Sequence, residues 1–380
     1  MQPDAAARRP RLTAAITATR RLVFVALALL ADGHAAEAAG QRVRVQGQQL
    51  LVDGEPFHIK GVCWNPVPKG GTHPQDLDYR GFVAVDSELM ASAGINAVRT
   101  YEAINDTEVL DVLWEKGIYV MNTVYSWGGL PEDSAVAKVR AVMHHPAILM
   151  WLVGNEWNYN GLYYGLPFEE TLAKVSKVVD IIKEVDQGHP VATVHGELPS
   201  ADTLKALSSV DIWGVNKYSG LTFGDLFDTW SRVSELPMFL GEYGADAYDA
   251  RAGQPNEAAQ AEATSALSAE LLSASSAANR GPCIGGAVFE LADEWWKDGT
   301  GSPGEHDVGG VSPGGGPWPD MTFNEEWWGL VRYDGTPRQA FRAYARSNGG
   351  WARRGGDHRG LCYACAELGD VAVLRCGLQR

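Results

Sequence analysis

Glu156 and Glu242 are the residues of this sequence best suited to act as a chemical pair. Each ends a short apolar run. Ile148-Leu149-Met150-Trp151-Leu152-Val153 leads into Gly154-Asn155-Glu156, and Pro237-Met238-Phe239-Leu240-Gly241 leads into Glu242-Tyr243-Gly244. Apolar runs of that length closed by glycine read as strands buried on both faces, as in a parallel sheet. Two such strands would deliver two carboxyls to one end of the sheet. Paired carboxyls across a cleft can cleave an acetal: one protonates the leaving oxygen, and the other meets the positive charge growing at the anomeric carbon. In the acid role Glu156 needs a raised pKa, which Trp151, Trp157 and the charge of Glu242 would supply. As nucleophile Glu242 must stay ionised, with Arg99 and the hydroxyl of Tyr218 or Tyr243 in support. A plainer reading stands beside each role. Glu156 could cap the helix that follows, Arg99 could sit in a structural salt bridge, and Tyr218 could be a core phenol. His195 is either a substrate ligand or a polar strand end.

The elements that must position these residues show a rhythm. Strand-like segments at about 61–65, 94–99, 117–122, 148–153, 190–194, 211–215, 236–241 and 284–289 alternate with helical ones. Helices are expected at 86–93, 107–116, 134–144, 168–185, 201–207, 223–234, 256–278 and 337–346. Asp86 and Ser87 are the expected caps of the first. Eight strands alternating with helices predict a parallel sheet closed into a (β/α)8 TIM barrel. Glu156 then ends the fourth strand and Glu242 the seventh, three ordinary strand–helix units later. Polar residues end most strands: Arg99, Asn122, Asn155, His195, Asn216 and Glu290. In such barrels the carboxyl-end face holds the site, so these groups converge. Before the barrel, Asp53-Gly54 between 43–52 and 56–61 signals a β-hairpin cap.

Composition narrows the partners. A formal net charge of −15 over 380 residues leaves little to neutralise phosphates and argues against nucleic acid. Thirteen tryptophans and thirteen tyrosines divide between core packing and flooring a sugar cleft. His144-His145, Glu305-His306-Asp307 and the tail cysteines form no recognisable metal-ligand set, and no glycine-rich nucleotide motif occurs, so neither metal nor cofactor is expected. The expected partner is an oligo- or polysaccharide.

Residues 1–39 read as a secretory signal. Arg20-Arg21 precede an apolar run at 22–31 and the small residues around Ala36-Glu37-Ala38. Ten apolar residues are too few to span a bilayer, so no membrane span is expected after cleavage, although retention as a signal anchor is the alternative. The catalytic domain is expected over 40–347, in a secreted or extracellular protein. Five cysteines leave at least one unpaired, with Cys362, Cys365 and Cys376 in the tail. Between Phe289 and Pro337 runs an unusually long loop holding Trp295-Trp296 and Trp327-Trp328, expected to wall a cleft, with hydrophobic stapling of the loop itself as the alternative. Residues 348–380 lose periodicity and are expected to be a poorly ordered tail.

At the two glutamates the chain resembles a known group. Gly154-Asn155-Glu156-Trp157 is similar to the acid/base motif of retaining clan-A β-glycosidases, and Leu240-Gly241-Glu242-Tyr243-Gly244 to their nucleophile motif. Asp53-Gly54-Glu55-Pro56-Phe57-His58-Ile59-Lys60-Gly61-Val62 resembles the lead-in to the catalytic barrel of glycoside hydrolase family 2, and Asn96-Ala97-Val98-Arg99 its second strand. The resemblance covers about residues 43–346. It implies Glu156 as acid/base, Glu242 as nucleophile, and Arg99, Asn155 and Tyr218 in support, in a double displacement with retention. His195, Asn216, Trp295 and Trp296 complete the expected substrate-binding set. Family 2 enzymes usually carry β-sandwich domains ahead of the barrel, for which this chain leaves no room. At strand eight the family tends to place tryptophans, whereas Phe289 and Leu291 stand here, with Trp295 or Trp296 as substitutes. A similar barrel occurs in secreted β-1,3-glucanosyltransferases, so transfer to a sugar is one alternative. A carbohydrate-binding barrel without catalysis is the other.

Overall fold

The computed structural model describes residues 42–297, 302–308 and 317–347. The expected signal peptide, the C-terminal tail with its three cysteines, and parts of the long loop lie outside them. Eight parallel strands close on one another: Ile59–Cys63, Ala97–Arg99, Tyr119–Tyr125, Ile148–Asn155, Val191–His195, Ile212–Asn216, Met238–Tyr243 and Cys283–Val288. Every residue of the Ile148–Asn155 strand is buried. Side chains of one parity fill the barrel and those of the other meet the helices, which is why the run carries no polar alternation.

The helices form where one apolar stripe can face that barrel. In Phe168–Val185, Val175, Val178, Val179 and Ile182 are buried at helical spacing. Glu169 and Glu170 occupy its first turn and Lys183 its last, each favourable to the helix dipole.

Three expectations change. The first helix spans Tyr79–Ser92, and its cap is Asp78, which accepts from the Gly81 amide, so neither Asp86 nor Ser87 caps it. Asp86 is buried because the indole Nε1 of buried Trp64 donates to it at 2.8 Å. The first arm of the cap folds back at Gly47: Val43–Gln46 pairs with Gln49–Val52, which pairs in turn with Glu55–Pro56. The third barrel strand runs on to Tyr125, three residues past the expected Asn122. Asn122 is buried there against the 104 backbone, away from the barrel mouth.

The long loop after strand eight is pinned at both ends. Arg338 and Asp293, both buried, form a bidentate pair at 2.5 and 2.7 Å, and Arg338 also donates to Gly329 O at 2.8 Å. Removing one partner of such a pair strands a buried charge. Arg338→Ala should therefore cost about 3–5 kcal/mol in denaturant unfolding. Arg338→Met combined with Asp293→Asn should cost clearly less. Equal losses in the single and double variants would show that packing, not the pair, anchors the loop.

Candidate active site

Glu156 follows Gly154-Asn155 at the barrel's mouth with its backbone left-handed, at φ 46° and ψ 33°. A non-glycine residue held there costs roughly 1–3 kcal/mol, and such strain persists where the surroundings fix a functional geometry. Its amide donates to Val194 O at 3.0 Å, tying the turn to strand five. The side chain makes no cap bond to the short helix Trp157–Asn160 that it precedes. Instead Asn216 Nδ2 donates to Glu156 Oε1 at 3.0 Å and to Asn155 Oδ1 at 3.1 Å. Asn216 reaches across because strand seven has Gly241 here, where a Cβ would lie 2.6 Å from Asn216 Oδ1.

Glu242 is held more tightly. Its Oε1 accepts from Arg99 Nη1 and from the Tyr101 hydroxyl, each at 2.7 Å, and its Oε2 accepts from the Tyr218 hydroxyl at 2.8 Å. Arg99 also donates through Nη2 to Asn155 Oδ1 at 2.6 Å. One guanidinium thus fixes both the Glu242 carboxylate and the amide beside Glu156.

The two carboxyls are driven in opposite directions. Burial, and then the charge of Glu242, raises the Glu156 pKa from its ordinary value to about 7, against the pull of Asn216 and Arg99. Burial also pushes Glu242 upward. There, however, the charge of Arg99, followed by Lys297 and the hydrogen bonds from Tyr101 and Arg99, outweighs it and holds Glu242 below its ordinary value. Two neighbouring carboxyls with diverging pKa values have the electrostatics of an acid and an anion.

Both glutamates line a cleft of about 1390 Å³, together with Asn155, Asn216, Tyr218 and Trp296. Arg99 lies beneath them, fully buried. Trp296 stacks on His73 at 5.0 Å. Two expected residues are not in the cleft. His195 is buried between Trp157 and Trp213, with Nδ1 on Glu197 O at 2.8 Å, because two indoles enclose its ring. Trp295 stacks on His306 at 4.9 Å and faces a separate cavity. The indole beside Tyr218 and Phe289 is Trp328, at 5.0 and 5.7 Å between ring centres. Glu290 turns away and is buried against Glu294, its carboxyl pushed well up by burial and then by Glu294.

The sequence reading missed three contributors. Tyr101 stands two residues beyond Arg99, and extended chain returns alternate residues to one side, so that spacing was available. Lys297 and Tyr163 come from irregular backbone with no period to read. Lys297 Nζ lies 3.3 Å from Glu325 and 3.7 Å from Glu294, and Tyr163 OH accepts from Asn155 Nδ2 at 3.0 Å. Among the described residues no cluster of His, Cys, Asp or Glu could hold a metal ion, and no helix is long and apolar enough to cross a membrane.

Similar proteins share this architecture. The family model described as glycosyl hydrolases family 2, TIM barrel domain, matches residues 43–135 and 126–264. A beta-glucuronidase of Felis catus is 27% identical over 234 residues, covering 54% of this chain and 33% of that protein. One of Paenibacillus borealis is 25% identical over 258 residues, covering 57% of this chain and 40% of that protein. The chain thus spans about a third of the length of the curated relatives it matches. Among solved structures, a GH2 beta-galacturonidase from Eisenbergiella tayi bound to galacturonate aligns with TM-score 0.57 at 19% identity, over 81% of this chain and 54% of that one. A beta-glucuronidase from Ruminococcus gnavus in complex with D-glucuronic acid aligns with TM-score 0.59 at 16% identity, over 80% of this chain and 51% of that one. With its closed barrel and with more than half its length matched, the chain belongs to glycosyl hydrolases family 2, through the TIM barrel domain.

Proposed function

We propose that this chain hydrolyses O-glycosidic bonds of β-linked sugars by double displacement with retention, Glu156 acting as acid/base and Glu242 as nucleophile. The observation that carries the reading is the opposed electrostatics of the two carboxyls. The half-buried Glu156 keeps its proton near neutral pH, and Glu242 stays ionised under three hydrogen bonds. In the first step Glu156 protonates the leaving oxygen while Glu242 attacks the anomeric carbon; in the second, Glu156 takes a proton from the incoming water. Asn155 and Asn216 are positioned to bind sugar hydroxyls. A barrel that only binds sugar gains nothing from holding one carboxyl protonated beside an ionised one. The leader at 22–31 supports export, so the enzyme is proposed to act outside the cell.

The relatives' names point to uronides, but the cleft favours a neutral sugar. Besides the catalytic pair, Glu102, Glu197, Asp225 and Glu325 line it against Lys217 and Lys297, while burial pushes the Glu294 carboxyl toward its neutral form. Lys297 is already opposed by Glu294 and Glu325. A uronate carboxylate would meet more carboxylates than cations, and like charge costs several kcal/mol when uncompensated. Assays on 4-nitrophenyl β-glucoside, β-galactoside and β-glucuronide should give kcat/KM at least about tenfold higher for a neutral glycone, with the β-anomer released first by NMR. Preference for the glucuronide would overturn the neutral-sugar assignment. Inactivity on every β-glycoside tried would overturn the hydrolase reading, and an α-anomer first would overturn retention.

A further inference from the structure

An exposed aromatic rim borders the cleft at the loops after strands three and four. Trp127, Tyr159, Tyr163 and Tyr164 are between 43% and 61% exposed, and all four come from the loops after strands three and four. Rings left open to water in one patch mark a binding surface. Three of them, Trp127, Tyr159 and Tyr163, line the same cleft as the two glutamates, and Trp127 packs edge-on against Tyr164 at 5.5 Å.

The rim is built, not loose. Gly128 N donates to Leu162 O at 2.9 Å and joins the two loops. Leu162 is fully buried and anchors the second loop, although both it and Tyr163 are left-handed, at φ 55° and 52°. The turn before them needs glycine: a Cβ at Gly161, φ 58°, would lie 2.5 Å from Leu166 N. Tyr159 lies against Gly196, where a Cβ would meet its ring at 2.1 Å. These contacts hold the rings at the cleft's edge.

Which part of a substrate meets them follows from the role of Glu156, and so rests on the function proposed above. The acid must touch the leaving oxygen, so the leaving group extends toward the loop that starts at Glu156. That loop carries Tyr159 and Tyr163. We propose that Trp127, Tyr159 and Tyr163 form a leaving-group platform for a further pyranose, so that the natural substrate is a β-linked oligosaccharide and not a glycoside of a small alcohol. A flat apolar ring with a polar edge suits a pyranose face. The cleft, at about 1390 Å³, exceeds the roughly 300–1,000 Å³ usual for small-molecule pockets and so has space beyond a single sugar.

The test compares a β-linked oligosaccharide with the β-glycosyl fluoride of the same glycone, whose leaving group is too small to reach the rim. In Trp127→Ala with Tyr159→Ala, the ratio of oligosaccharide to fluoride kcat/KM should fall tenfold or more, mainly through KM. Trp127→Phe should recover most of the ratio. An unchanged ratio overturns the platform, as does an unchanged ratio accompanied by weaker self-association, which would make the patch a protein contact. If the wild-type protein cleaves neither substrate, the hydrolase reading fails by itself. Calorimetric binding of the oligosaccharide then decides the platform: loss in the double variant supports it, and equal binding overturns it.

Discussion

Glu242→Ala should lose the glycosyl-enzyme intermediate altogether and reduce turnover by several powers of ten, as expected when a nucleophile is removed. The variant also leaves the buried Arg99 without its closest anion, so unfolding must be measured beside activity. Glu242→Gln separates the two effects. It retains a carbonyl to accept from Arg99 and Tyr101 and turns an amide N–H toward the Tyr218 oxygen, but it carries no charge, so it should stay folded and still be inactive. With the carboxylate gone, azide can enter the space it leaves and attack a β-glycosyl fluoride from the opposite face, giving an α-azide. NMR of the azide product decides the outcome. A β-azide, or a Glu242→Gln variant with wild-type turnover, would remove Glu242 from the nucleophile role.

How much of this was legible in the sequence depends on whether a residue sits on a regular element. Glu156 and Glu242 were readable because each ends a strand whose period and length are unmistakable, and barrel geometry turns strand ends into neighbours. Arg99, Asn155 and Asn216 followed for the same reason, and Tyr218 stands only two residues past its strand. His195 also ends a strand, yet Trp157 and Trp213 enclose its ring. A strand end fixes where the Cα lies and not what stands beside the side chain. The long loop shows the opposite limit. Its two Trp-Trp pairs were visible, but which ring reaches the cleft depends on long-range ties such as Arg338 to Asp293, and on stacks such as His306 between Trp295 and Trp327. Trp296 and Trp328 face the cleft; Trp295 does not. The buried Asp86 has the same origin: a residue type that usually caps a helix was recruited by an indole 22 positions earlier.

Glu156→Ala should behave differently from the nucleophile variant, because its loss bears unequally on the two steps. A 2,4-dinitrophenyl leaving group needs no proton, so the glycosyl-enzyme still forms, and a burst of released phenol should precede slow turnover. Without a base to activate water the intermediate accumulates. Azide, which needs no base, should restore turnover and give a β-azide, since it attacks the face opposite Glu242 in the second displacement. The pH profile supplies an independent check. The Glu156 pKa is raised from its ordinary value to about 7, so the carboxyl is protonated below that pH and ionised above it. Wild-type kcat/KM on a substrate with a poor leaving group should therefore fall as pH rises through about 7. Glu242 is held below its ordinary value, which puts the acid limb lower than a free carboxylate would. In Glu156→Ala, assayed with the activated substrate, the alkaline limb should disappear while the acid limb stays. An alkaline limb that survives the substitution would assign that ionisation to another group, and an α-azide from this variant would exchange the roles of the two glutamates.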